Sequence, residues 1–369
     1  MNTGFKAILS IHDDTKLIPC HGPIFALFIR RLKLHYFSQY MLNGINLIRG
    51  ILTLLIIFFI FPYSHAEEVV FKHKHHNLSG HYLEATNGKP AKAVLLFVHG
   101  DGAMPYDAQG YYNIIWQPLR EKGYAIFSWD KPNVGNSSGN WLMQSMRDRQ
   151  SEVLSAVDFV QNKYHFTAKN TGLFGFSQAG WVIPALASKP SKIGFTIGVG
   201  FATNWIEQGR YHTKTKHKIA SKNKQQVTLE LDAYSKGISF LKKTPTYDEY
   251  LAFTKDTAME KDRFDFILNN FTADAADDYS KIKVPSLFLW GANDLNVNAQ
   301  QEFTWWQTQN NPFITTRLIP NASHAMLNSA SFDSQSISFL QWIKLMWLEQ
   351  DALAKDFLPT VVMWLEQTE

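Results

Sequence analysis

The chain is nearly devoid of cysteine, with one, Cys20, in 369 residues. Beyond it there is no thiol, which excludes disulfides, thiolate-ligated metals and a cysteine nucleophile from everything downstream. Charge of one sign is also lacking. The formal net charge is +4, but residues 1–66 hold six Lys/Arg against two Asp, leaving 30 residues of each sign in 67–369. That balance gives no basis for nucleic-acid binding. There is no internal repeat and no low-complexity tract. The apolar run Ile51–Phe61 is too short for a comfortable membrane span of about 20 residues.

What is there is an ordinary globular composition, 45% hydrophobic and 18% charged, ample for a large core. The length suits two domains, or one α/β domain with an insertion. The stretch MLNGINLIRGILTLLIIFFIFPYSHAEE (41–68) has the layout of a secretory signal peptide. Arg49 is its positive n-region, Ile51–Phe61 its apolar h-region and Ser64-His65-Ala66 its small-x-small cleavage site before Glu67. The expectation is a leader over 41–66 that is cut on export to a periplasm or the exterior, with Met41 as the start and 1–40 as upstream sequence. Left uncut, the leader would be an anchor and the one membrane contact. A cysteine-free exported chain suits an oxidising compartment.

From residue 67, β-rich runs alternate with helical ones. EEVVFKHKHHNLSGHYLEAT (67–86) reads as a hairpin, AKAVLLFVHG (91–100) as a buried strand and AQGYYNIIWQPLREKG (108–123) as a helix with a glycine stop. Strands are expected again at 124–130, 170–177, 192–202, 284–294 and 313–324. Helices are expected at 143–164, directly after Ser177, at 298–310 and through the tail. The alternation predicts an α/β fold, a mostly parallel sheet with helices on both faces. Residues 203–282 break the pattern. They are polar, Lys-rich and helically spaced, and read as an inserted helical cap that leaves 67–202 and 283–369 as the core.

Such sheets carry reactive groups on loops beyond the carboxyl ends of their strands. In GFSQAG (175–180), small residues on either side let the chain turn sharply and lift Ser177 above the sheet edge. A helix starts at once and aims its first amides at the same point; a simple capping serine is the alternative. In GANDLNV, Asp294 follows the strand LFLWG, where a carboxylate can orient an imidazole or merely cap the next helix. In PNASHAM, His324 follows the last strand. It is the one histidine C-terminal to Ser177 outside the cap segment, which holds His212 and His217. In FVHGDGAMP, glycines around Asp101 let backbone N–H groups face a ligand. The amides of Asp101 and Gln178 are assigned to an oxyanion hole, and His99 to holding its own loop.

The order Ser177, Asp294, His324, each after its own strand, resembles that of α/β-hydrolase-fold serine hydrolases, and the likeness covers 88–369. DKPNVGNSSG (130–139) is similar to that family's D-x-x-G-x-G-x-S loop, with Asn136 between Gly135 and Ser137. GFSQAGWVIPALAS is similar to the elbow of exported bacterial esterase or peptidase-like members, with Ala179 where glycine is usual. Residues 203–282 fall where the family inserts a cap. The resemblance implies a carboxylic-ester hydrolase that works through an acyl-enzyme, with Ser177 as nucleophile, His324 as base and Asp294 as its orienting acid. It implies no metal and no organic cofactor, and a small-molecule ester or amide as substrate. Peptidase or amidase chemistry on the same triad, and a catalytically inactive binding module, stay open as alternatives. Dehalogenase or epoxide-hydrolase chemistry needs a carboxylate at the elbow, which Ser177 excludes.

Other groups invite weaker readings. His73, His75 and His76 in FKHKHHN raise a metal site, with His73 and His75 on one strand face, against an ordinary solvated strand. Asp130 is expected to close its own loop, and KTKHKIASKNK to be a solvated cap face. Trp205, Tyr211, Phe240, Tyr250 and Phe253 either line an apolar acyl pocket or hold the cap to the sheet.

Overall fold

The computed structural model describes residues 66–190 and 192–368. The leader readings at 1–40 and over nearly all of 41–66 lie outside the described residues. The hairpin is formed by β1 (Glu67–His73) and β2 (His76–Leu83), paired from Glu67↔Tyr82 to His73↔His76. Six further strands follow: β3 (Ala93–Val98), β4 (Tyr124–Trp129), β5 (Thr171–Phe176), β6 (Phe195–Val199), β7 (Ser286–Gly291) and β8 (Ile314–Ile319). The sheet order is β1-β2-β4-β3-β5-β6-β7-β8. β1 and β2 run antiparallel to their neighbours, and every pairing from β4 to β8 is parallel.

Burial follows from this layout. β3, β4, β5, β6 and β7 are buried throughout, because helices cover both faces, and they read as nearly continuous apolar runs. Successive residues alternate between two cores: Val94, Leu96 and Val98 enter one, Leu95 and Phe97 the other. The first core is closed by α2 (Met146–Tyr164), α3 (Ile183–Ala187) and α9 (Ala299–Thr308). The second is closed by α1 (Asn113–Glu121), α10 (Phe339–Leu348) and α11 (Phe357–Thr368). At the outer edge, β8 carries Thr315, Thr316 and Arg317 and is only partly covered, as an edge exposed to water requires.

Between β6 and β7 the chain runs through five helices: α4 (Trp205–Ile219), α5 (Lys224–Leu241), α6 (Tyr247–Thr254), α7 (Lys261–Asn270) and α8 (Ala276–Ser280). Their buried residues, including Tyr234, Ile238, Tyr250, Phe264 and Phe266, belong to the same apolar cluster as the α2 face of the sheet.

Several element ends differ from the sequence reading, and two of the differences have a visible cause. The helix expected from residue 108 begins at Asn113, because 107–112 is a run of turns in which Asp107 accepts from the amides of Gln109, Gly110 and Tyr112. The helix expected after Ser177 is split into a single 3-10 turn, Ser177–Trp181, and the short α3. The sheet order places β3 between β4 and β5, so the connections leaving β3 and β5 diverge. That divergence opens a crevice at their carboxyl ends, the switch point where ligands bind in doubly wound sheets.

Candidate active site

Ser177 stands at this switch point. It is the residue after β5 and has φ 48°, in the left-handed region that a side chain with a Cβ rarely adopts. The turn is tight enough to demand glycine two residues earlier. A methyl group at Gly175 would lie 2.4 Å from Cδ1 of Ile183 and 2.7 Å from Cβ of Ala179. The same packing explains why residue 179 must be small.

Asp294 and His324 meet. Nδ1 of His324 lies 2.7 Å from Oδ2 of Asp294, whose side chain is wholly inaccessible to water. The other carboxylate oxygen accepts from the amides of Asn296 (2.7 Å) and Val297 (2.8 Å). The carboxylate is therefore fixed on both sides, and it in turn fixes the ring. The imidazole packs on Gly200, the residue after β6: a methyl group there would be 2.9 Å from both Cε1 and Nδ1 of the ring. Phe176 pairs with Val199 across β5 and β6, so Ser177 and Gly200 leave the sheet side by side. Three chain-distant residues are thus gathered at one sheet end. Ser177 Oγ and the imidazole form no hydrogen bond here; such contacts are often long before substrate binds.

Asp101 and Gln178 are joined as well. Nε2 of Gln178 donates to Oδ1 of Asp101 at 2.7 Å. Gln178 lies in the first turn of the helix after Ser177, where backbone N–H groups have no intrahelical acceptor. The loop carrying Asp101 runs against the elbow, since a methyl group at Gly100 would be 3.5 Å from Cβ of Ser177.

The sequence from residue 89 to residue 330, well over half the chain, matches the family model described as serine aminopeptidase, S33. The chain belongs to this family. It is a hydrolase of α/β fold. Solved structures share the architecture at low identity. The esterase Pf2001 of Pyrococcus furiosus is 16% identical with a TM-score of 0.52, over 82% of this chain and 90% of that one. The proline iminopeptidase of Mycobacterium smegmatis is 15% identical with a TM-score of 0.51, over 82% and 98%. A comparison with curated proteins returns no match.

Three cations of this serine hydrolase surround the elbow and escaped the sequence reading. Lys131 is buried and donates to the carbonyls of Gly100 (2.6 Å) and Gly102 (3.0 Å). Burial pushes its ammonium well below the usual lysine range, and Arg149 adds to this. Arg149 donates to Oε1 of Gln178 (2.5 Å) and to the carbonyl of His99 (2.6 Å). Arg263, from α7, pairs with the Asp101 carboxylate at 3.0 Å. A signal for Arg149 existed. It falls on the inward stripe of α2 with Met146, Val153 and Ala156, where a charge is out of place unless it has partners.

The remaining candidates resolve individually. Nε2 of His99 donates to the Trp129 carbonyl at 2.6 Å, and burial, with Lys131 beside it, lowers its pKa to about 3. It is a neutral loop histidine. Asp130 accepts from the amide of Tyr106 at 2.7 Å and lies under Gly135, closing its own loop. His73 and His75 do not share a strand face. His73 turns inward to Ser155 (3.0 Å), whereas His75 sits in the hairpin turn and packs on His76. Between β6 and β7, Trp205 stacks on Trp181 just after the elbow and the Tyr211 hydroxyl donates to the Asp294 carbonyl. Phe240 stacks on Phe253, and Tyr250 packs on Phe264, so Phe240, Tyr250 and Phe253 pack among the helices between β6 and β7. Lys214 and Lys218 of the basic run are exposed.

Proposed function

We propose that this hydrolase cleaves carboxylic esters through an acyl-enzyme on Ser177. The observation that carries the reading is the 2.7 Å contact between His324 Nδ1 and a carboxylate whose other oxygen is already occupied. With Nδ1 engaged, Nε2 is the nitrogen left to accept a proton. As Ser177 Oγ bonds to the substrate carbonyl carbon, Nε2 takes the hydroxyl proton and Asp294 stabilises the imidazolium. The carbonyl oxygen becomes an oxyanion, held by the backbone N–H groups of Asp101 and Gln178. Collapse breaks the bond to the alcohol, which leaves with the imidazolium proton. Water then repeats the sequence on the acyl-enzyme.

The family description also supports a second reading, peptidase or amidase chemistry on the same residues. One feature favours the ester. An aminopeptidase needs a carboxylate to receive the substrate's ammonium, and the two carboxylates placed here at the elbow, Asp101 and Asp294, are committed. Asp101 is held by Arg263 and Gln178, and Asp294 by His324 and two amides.

The test is a fluorophosphonate probe on the full chain beside Ser177→Ala, with nitrophenyl esters of rising chain length run against aminoacyl anilides. Labelling should vanish in Ser177→Ala, and ester turnover should fall by at least about 1000-fold. Equal ester rates in the two proteins would remove the covalent mechanism, and faster anilide cleavage would move the assignment to peptidase.

A further inference from the structure

The oxyanion-hole assignment leaves open what turns the Asp101 amide toward Ser177. The loop at 100–102 has glycine on both sides of Asp101 and belongs to no helix or strand. Its own backbone does not fix the orientation of its peptide units. The buried cations beneath it do. A trans peptide is planar, so the carbonyl of one residue and the N–H of the next point in opposite directions. Lys131 Nζ holds the Gly100 carbonyl at 2.6 Å. The Asp101 N–H therefore points away from Lys131. Arg149 Nη2 fixes the preceding peptide unit through the His99 carbonyl at 2.6 Å, and Lys131 fixes the Gly102 carbonyl at 3.0 Å.

We propose that Lys131 and Arg149 are positioning residues for the oxyanion hole, acting through the His99, Gly100 and Gly102 carbonyls to aim the Asp101 amide at the carbonyl oxygen of the substrate. The proposal rests on the acyl-enzyme reading above. Arg149 reaches the second amide-bearing residue too: Nη1 holds Oε1 of Gln178 at 2.5 Å, while the other end of that side chain holds Asp101. Both halves of the hole are thus tied to one buried frame. Burying two cations is a costly way to close a loop, and packing alone does not require it. Lys131 Nζ also lies 4.9 Å over the Trp141 ring, and the residue is buried. A neutral amine keeps two N–H groups, enough for its two carbonyls, so the aim survives deprotonation.

The experiment compares the full-length parent, Lys131→Met, Lys131→Arg and Ser177→Ala. Folding is checked by near-ultraviolet circular dichroism. The readouts are kcat and KM on a nitrophenyl ester, and affinity for an alkyl boronic acid, whose adduct with serine is tetrahedral and anionic. Lys131→Met should lose about 10- to 100-fold in kcat with KM changed less than about threefold, and should lose boronate affinity in step with kcat/KM. Lys131→Arg, which keeps the donors, should recover most of both. A folded Lys131→Met with parental kcat, or with parental boronate affinity, overturns the proposal while an inactive Ser177→Ala leaves the acyl-enzyme reading standing. An active Ser177→Ala overturns that reading instead, and this one with it. If Lys131→Met does not fold, Arg149→Lys takes its place. It keeps the charge but cannot span the His99 carbonyl and Gln178, and it is held to the same criterion.

Discussion

At the scale of single residues, the site is shaped as much by missing atoms as by reactive ones. Gly200 has φ 64° and lies against the His324 ring. A Cβ there meets the imidazole at 2.9 Å and the backbone at an unfavourable angle, and the ring is the more movable of the two. Gly200→Ala should therefore displace His324 from its line with Ser177. The expected outcome is a fall of about 10- to 100-fold in kcat at a stability cost of about 1–2 kcal/mol, read from turnover beside thermal melting. Loss of stability without loss of turnover would show that the ring holds its place. Gly200 carries no local signal of this role. Ser177, Asp294 and His324 were legible because each follows its own strand and belongs to a short recognisable stretch. Lys131 sits inside such a stretch, yet its partners are about 30 residues away in sequence, the Gly100 and Gly102 carbonyls. Arg263 pairs across 162 positions. No pattern of spacing reports contacts of that range.

At the scale of elements, periodicity was a good guide to strands and long helices and a poor one to their ends. The helix α2 shows why its own start is sharp. Ser145 caps the Asp148 amide while the Asp148 carboxylate accepts from the Ser145 amide and hydroxyl, a reciprocal capping box. Partial burial opposes ionisation of Asp148, but Lys74 at 2.6 Å and the Ser145 donors outweigh it and lower its pKa to about 2. A carboxylate whose native pKa is depressed below its ordinary 3.8 stabilises the fold above that value, and the contribution is lost as pH falls from about 4 through about 2. Asp148→Asn should lower stability by about 1 kcal/mol at neutral pH. Its melting temperature should converge on the parent's as pH approaches 2. A difference that stays constant down to pH 2 would show that the charge contributes nothing. The pair with Lys74 is exposed and adds little by itself. By contrast, the helix read from residue 108 had no such cap at its true start: Tyr112 offers no side-chain bond to the helix after it. Its boundary was set by the turns around Asp107, which periodicity does not register.

At the scale of the whole molecule, the five helices between β6 and β7 are joined to the site itself. Arg263 reaches the Asp101 carboxylate, and the Tyr211 hydroxyl reaches the Asp294 carbonyl at 2.9 Å. Gln335, on the way to α10, donates both to the His212 carbonyl in α4 and to the Leu295 carbonyl beside Asp294. Asn270 of α7 binds the amide of Met146 and the carbonyl of Gln144 at the start of α2. Beneath these bonds Trp205 stacks on Trp181 at 4.9 Å, so the apolar interior of these helices is continuous with the face of the sheet. A segment anchored only by a hinge would open on its own; one sharing a core with the sheet cannot unfold without exposing that core. The chain should accordingly melt in a single transition, with calorimetric and van't Hoff enthalpies equal. Removing the Tyr211 hydroxyl tests the coupling with one atom. Tyr211→Phe should cost about 1 kcal/mol, shift the whole transition down by about 2 °C and leave it unsplit. It should also lower turnover, because the lost bond ends on the residue that holds His324. A low-temperature step confined to these helices, with the sheet still folded and Tyr211→Phe turning over at the parental rate, would mean that the helices are a separate lid and that the site does not depend on their seating.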